Sequence, residues 1–230
     1  MSDKSSSAII TSRGIVLSRR NHGERDLKLH VFLRQEGKVI ATVKAGQNTQ
    51  SKLKSLQEPF ILADYQVYLP KHAVFARILN GKLIQSHHKI RQNLAAFLVA
   101  SQLCEMIELL FPFRAPAPDI FDILQLSFQA LHNSASPKTT WLWFTINLLK
   151  SLGHGDKTAE LATFIQPTER ERIQTFLKDE KMSVPFETLL LSPVSIERSQ
   201  KFMEGQLMDL LPREMKSSGF EKILEPLLKQ

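Results

Sequence analysis

The residues with the clearest chemical potential are basic and stand near the start of the chain: Arg13, Arg19, Arg20, Arg25, Lys28, Lys38, Lys44, Lys52 and Lys54. Guanidinium and ammonium groups neutralise phosphate and release the counterions condensed on a polyanion, which drives sequence-independent contact with nucleic acid. Residues 1–90 hold 15 Lys and Arg against 6 Asp and Glu, whereas residues 91–230 hold 15 against 17. The net charge of +7 therefore resides in the first part of the chain. The competing reading of each of these charges is a solvated surface with no partner.

Signatures of catalysis are missing. The nine glycines are scattered singly, so there is no phosphate-cradling loop. There is no HExxH and no pair of CxxC motifs. His87 and His88 are neighbours at a strand end, where successive side chains point to opposite faces and rarely share a metal. Cys104 is the single cysteine; it supplies neither a disulfide nor a sulfur-rich zinc site, and is expected buried on a helix. No nucleophile, base and orienting group can be assembled. The expectation is a binding protein with no catalytic residue, no cofactor and no metal.

The elements that must carry these cations read as strands. Leu27, Leu29, Val31 and Leu33 alternate with Lys28 and His30, Phe32 being an apolar exception on the polar side. Similar runs span Ile9 to Arg19, Lys38 to Lys44, Phe60 to Leu69 and Val74 to Ile84, with turns at Asn21-His22-Gly23, Glu36-Gly37 and Pro70-Lys71-His72. Five short strands without intervening helices predict a small closed barrel. Gly46 to Leu56 lacks apolar periodicity and reads as a polar, basic loop.

The period changes near His88. Ala96, Val99, Leu103, Ile107 and Leu110 mark one face of a helix. A second helix runs from Asp119 to Leu131, with Ile120, Ile123, Leu124, Phe128 and Leu131 inward. A third starts at Ser136-Pro137 and stops at Gly153. Further helices are expected over Glu169–Lys178, Ser195–Leu211 and Phe220–Lys229. The fold class is thus α+β in two parts: a barrel over 1–86 and an α-helical region over 87–230. Apolar residues make up 43% of the chain, enough for a sizeable core. No run approaches the roughly 18 apolar residues that span a bilayer, and Met1 to Ser7 reads as a polar tail without a signal sequence, so a soluble cytoplasmic protein is expected.

The order of several short motifs resembles the RecO family. Gly14-Ile15-Val16-Leu17 is followed by the basic turn Arg19 to Glu24, then Gly37-Lys38, then Ser51-Lys52-Leu53-Lys54-Ser55-Leu56-Gln57-Glu58-Pro59-Phe60. Phe144 to His154 resembles the family's FxxxLLxxLGY segment, and Lys216 to Phe220 its closing helix junction. Many members carry a four-cysteine zinc site after the LGY segment. This chain has no cysteine there, so it resembles the zinc-less members, with that subregion degenerate or absent near 156–193.

The resemblance implies an N-terminal OB-fold and a helical C-terminal domain. It implies a non-enzymatic recombination mediator that binds single- and double-stranded DNA and anneals complementary strands. Partners implied are RecR and the acidic C-terminal tail of single-strand-binding protein, with a functional link to RecA loading on coated DNA. The nine cations above become candidates for the DNA face. Tyr65, Tyr68 and Phe75 either stack on bases or, by default, fill the barrel core. For the acidic tail, Trp141, Trp143 and Phe144 are candidates to line an apolar groove, rimmed by Arg114, Lys138 and Lys150. Three alternatives stand beside this reading: an RNA-binding OB module, an enzyme with an unrecognised site, and an interaction scaffold whose charge is incidental.

Overall fold

The computed structural model describes residues 8–48, 53–71, 73–178, 189 and 191–217. The expected helix over Phe220–Lys229 and the polar tail lie outside them, as does Lys52.

Strands β1 (Ala8–His22), β2 (Asp26–Leu33), β3 (Gly37–Val43), β4 (Leu62–Leu69) and β5 (Phe75–Gln85) close into a barrel in the order β1-β2-β3-β5-β4. All neighbours are antiparallel except β3 and β5, which run parallel. This is the OB-fold. Alternation decides what enters the barrel: Leu27, Leu29, Val31 and Leu33 from β2, Val39, Ala41 and Val43 from β3, and Ala63, Tyr65, Val67 and Leu69 from β4 form one buried core. Tyr65 is fully inside, and its hydroxyl donates to the Leu56 carbonyl at 2.9 Å. Burial raises the Tyr65 phenol well above its ordinary pKa, so it stays neutral. Gly14 leaves room for that ring, since a Cβ there would come within 3.0 Å of Leu33, Tyr65 and Val31.

The apolar exception Phe32 has a structural reason. It points out of the barrel yet is fully buried. The segment Phe111–Phe121 belongs to the same compact unit as the strands and covers it. The rings of Phe111 and Phe121 lie 6.3 and 5.8 Å from Phe32, within aromatic contact range. The segment is tied down by the Arg114 amide, which donates to the Lys38 carbonyl at 3.0 Å, and by a parallel bridge between Lys38 and Phe113. Gly37 permits the approach: its φ is +75°, and a Cβ there would sit 2.2 Å from the Ala115 carbonyl oxygen.

The second unit comprises Lys89–Leu110 and Asp122–Gln230. It contains α1 (Leu94–Leu110), most of α2 (Pro118–His132), α3 (Pro137–Ser151), α4 (Gly155–Ala159), α5 (Arg170–Lys178) and α6 (Pro193–Met208). All five residues expected inward on α2 are buried. Every residue of α3 from Thr139 to Leu149 is buried, which makes α3 the central helix of this unit; it packs against α1, α4 and α6. Its ends match the sequence. Ser136 caps the start with Pro137 in the first turn, and Gly153 at φ +82° ends it. Gly153 donates to Lys150 and His154 to Leu149, the paired bonds of a Schellman stop. Glu105 of α1 holds residues 213–217. Its carboxylate accepts from the Lys216 amide at 2.8 Å, the Ser217 amide at 2.9 Å and hydroxyl at 2.8 Å, and Arg213 at 3.2 Å.

Candidate nucleic-acid interface

The strand registers place outward side chains in rows around the barrel. One row runs Arg20–Lys28 across β1 and β2, Lys28–Thr42 to β3, Thr42–Arg77 to β5, Arg77–Tyr68 to β4 and Tyr68–Ile9 back to β1. The next row runs Ser18–His30–Ile40–Phe75. Adjacent strands are about 4.8 Å apart, so Lys28 and Arg77 stand about 10 Å from each other on one face. Arg20, Lys28 and Arg77 have no ion-pair partner among the described residues, so their charge is available to an anion. The Lys28 ammonium lies 5.8 Å from the Phe75 ring centroid.

A second group gathers at the end of the barrel where β1 turns into β2. Arg25 is exposed in that turn. Lys44, just after β3, bonds the Asp26 carboxylate at 2.6 Å. That hydrogen bond, followed by one from the Ala45 amide, holds the Asp26 carboxyl below its ordinary pKa. Gln47 clamps the two segments through its amide on the Gly23 and Asp26 carbonyls, at 3.1 and 2.9 Å. Arg13 pairs with Asp64 at 3.1 Å on the β1–β4 seam, and Arg19 pairs with Glu58. Both pairs are exposed, where such contacts are worth little and give way readily to a polyanion. Lys54 is exposed in a short 3-10 turn, Lys54–Leu56.

One of the expected DNA-face cations is corrected. Lys38 is only 3% exposed, with its ammonium 4.8 Å from the Phe113 ring centroid under the covering segment, and no phosphate can reach it there. The aromatics divide. Tyr65 is core, as the default had it, whereas Tyr68 and Phe75 are 38% and 60% exposed and stand on the cationic face. Sequence reasoning missed Arg77 and Phe113. In the run Phe75-Ala76-Arg77-Ile78-Leu79, apolar residues fall on both faces, so alternation alone did not say which face was outside.

The groove expected for an acidic tail is also corrected. Trp141, Trp143 and Phe144 are 2% exposed or less and form the heart of α3 packing. Lys150 is turned inward, donating to the Phe176 carbonyl at 2.7 Å with that ring 4.8 Å away. Arg114 belongs to the barrel unit, at φ +63°, and Lys138 alone of the rim is exposed on the helical unit.

Among the described residues no group of three or more His, Cys, Asp or Glu side chains could hold a metal ion, and Cys104 is buried in α1. With no other cysteine in the chain, the donors of a four-cysteine zinc site are lacking. No described helix is long and apolar enough to cross a membrane.

Residues 7–87 match the family described as recombination protein O N terminal, and residues 91–155 match recombination protein O C terminal. Curated relatives agree. A DNA repair protein RecO of Dehalococcoides mccartyi (strain CBDB1) is 28% identical over 151 residues, 66% of this chain and 59% of the relative. The RecO of Exiguobacterium sibiricum is 24% identical over 142 residues, covering 62% and 56% of the two chains. That of Caldicellulosiruptor saccharolyticus is 28% identical over 140 residues, covering 61% and 57%. The chain therefore spans somewhat under three fifths of the length of these relatives. The barrel and the first helices correspond to the two matched regions, and the chain belongs to the RecO family.

Proposed function

We propose that the protein is a non-catalytic DNA-binding mediator that brings complementary strands together. The observation that carries the reading is the row Arg20, Lys28 and Arg77 on one barrel face, without acidic partners among the described residues, with Arg25 and Lys44 at its edge. Annealing requires two polyanions to approach. A protein surface that neutralises phosphates on both strands lowers that repulsion and needs no bond-making residue. Arg13, Arg19 and Lys54 extend the field, and Lys52 belongs to the same reading on sequence grounds.

The family resemblance supports action alongside RecR, contact with the acidic C-terminal tail of single-strand-binding protein, and a contribution to RecA loading in the cytoplasm. The tail has no assigned site, because the aromatic trio expected to receive it is core.

The test is annealing of two complementary oligonucleotides labelled for energy transfer, followed with and without protein at several salt concentrations. Acceleration that weakens steeply with salt is expected. A folded protein that accelerates annealing at no salt concentration overturns the mediator reading.

A further inference from the structure

The outer face of β1, β4 and β5 carries an open pocket of about 450 Å³, lined by Ile9, Tyr68, Pro70, Phe75, Arg77 and Leu79. Ile9 and Phe75, at 61% and 60%, are the most exposed large apolar side chains of the described barrel. A contiguous apolar patch that stays exposed marks a binding surface. Its composition narrows the occupant. Two aromatic rings, Tyr68 and Phe75, share the pocket with one charged residue, Arg77. Arg77 is the cross-strand neighbour of Tyr68, and the Lys28 ammonium of β2 lies over the Phe75 ring, 5.8 Å from its centroid. Flat apolar surfaces beside cations that have no ion-pair partner among the described residues complement a ligand with flat apolar faces on an anionic backbone. Single-stranded nucleic acid has that chemistry, whereas a duplex keeps its base faces inside its own stack.

We propose that this pocket is a base-stacking subsite that receives unpaired bases on Tyr68 and Phe75 while Arg77 and Lys28 hold the adjoining phosphates. The inference rests on the DNA-binding reading above and assigns to its face a selectivity for single strands. Phosphate neutralisation alone treats single and double strands alike in kind. The pocket adds a contribution that only an unpaired base collects. It also bears on annealing, because a strand held by stacking at a few bases leaves its other base edges open to a complement.

The experiment measures equilibrium binding of oligo(dT), a hairpin duplex, and an oligomer of the same length with abasic sugars at its centre. The proteins are the full chain and its Phe75→Ala, Tyr68→Ala and Phe75→Trp variants. Both alanine variants are expected to bind oligo(dT) about 5- to 100-fold more weakly, the stacking worth of one base converted at tenfold per 1.4 kcal/mol. They should bind the hairpin as the parent does, and the abasic oligomer no more weakly than the parent binds it. Phe75→Trp should restore oligo(dT) affinity. Exposed positions make folding defects easy to exclude by circular dichroism. Unchanged oligo(dT) binding in both alanine variants overturns the subsite and leaves the face to a protein partner. Equal losses on oligo(dT) and abasic oligomer also overturn it, since the rings would then act only through structure. A parent protein that binds none of the three ligands refutes the DNA reading itself, a result distinguishable from either of the others.

Discussion

Replacing Gly37 by alanine tests how the covering segment holds the barrel. Two penalties meet at this position. Its φ of +75° is left-handed, which costs a residue with a Cβ about 1–2 kcal/mol. The new Cβ would also sit 2.2, 2.5 and 2.7 Å from the oxygen, carbon and nitrogen of Ala115. All three are backbone atoms, so no rotamer change relieves the clash and residues 113–115 must retreat. Retreat breaks the bond from the Arg114 amide to the Lys38 carbonyl, and buried groups left unpaired cost about 1–3 kcal/mol. A gain of roughly 0.4–1 kcal/mol from the stiffer unfolded chain offsets part of this. The expected loss is about 2–4 kcal/mol. Gly23 supplies the control. Its φ is +67°, but nothing lies within 4 Å of its Cβ position, so Gly23→Ala should cost only about 1 kcal/mol or less. Urea unfolding followed by circular dichroism compares the two, and hydrogen exchange reads the Arg114 amide directly. Equal losses in the two variants, or an Arg114 amide that stays protected in Gly37→Ala, would refute the wedge argument.

Other expectations are equally specific. Lys38→Met should leave DNA affinity unchanged, because the ammonium lies under Phe113, whereas Arg77→Gln should weaken it in a filter-binding or anisotropy titration. Partial burial pushes the Glu105 carboxyl up, but bonds from the Ser217 and Lys216 amides, the Ser217 hydroxyl and Arg213 outweigh it, and the net shift is downward. The stabilisation from Glu105 is thus fully present above its unfolded pKa of about 4.3 and is lost as pH falls through the lower folded value. Glu105→Gln at neutral pH should speed exchange of the Lys216 and Ser217 amides roughly tenfold or more, and unchanged exchange would contradict the anchoring role. Burial, with the nearby Glu108 carboxylate adding to it, raises the Cys104 thiol well above its ordinary pKa. An aromatic disulfide reagent should therefore label it only after unfolding, and rapid labelling of the folded protein would contradict its burial.

The barrel was legible because its strands alternate with period two and its turns carry glycine or proline. Helix α3 was legible because Ser136, Pro137 and Gly153 mark both ends. Long-range cover was not. Phe32 stood out as an apolar residue on a polar face, but its partners Phe111 and Phe121 are far along the chain, and nothing local named them. The same segment hides Lys38, which looks from sequence like any other strand lysine. The misreading of Trp141, Trp143 and Phe144 had a usable signal: Trp141-Leu142-Trp143-Phe144 are four consecutive apolar residues, which put apolar side chains on every face of one helical turn, and such a helix belongs in a core rather than at a groove. The DNA face was half legible. Arg20 and Lys28 carried a visible charge excess, while Arg77 joined them only through the parallel pairing of β3 with β5, a contact between strands that are not consecutive in sequence.

The most direct test of the account is the salt dependence of single-strand binding, compared between the parent protein and a variant carrying Arg20→Gln, Lys28→Gln and Arg77→Gln. Each phosphate contact on a single strand contributes about 0.7 to the slope of log affinity against log salt. With three contacts removed, the slope should fall by about 2 and affinity at low salt should drop steeply. A variant that keeps both the parent's slope and its affinity would mean that DNA, if bound, lies elsewhere, and that this barrel face is not the DNA-binding surface.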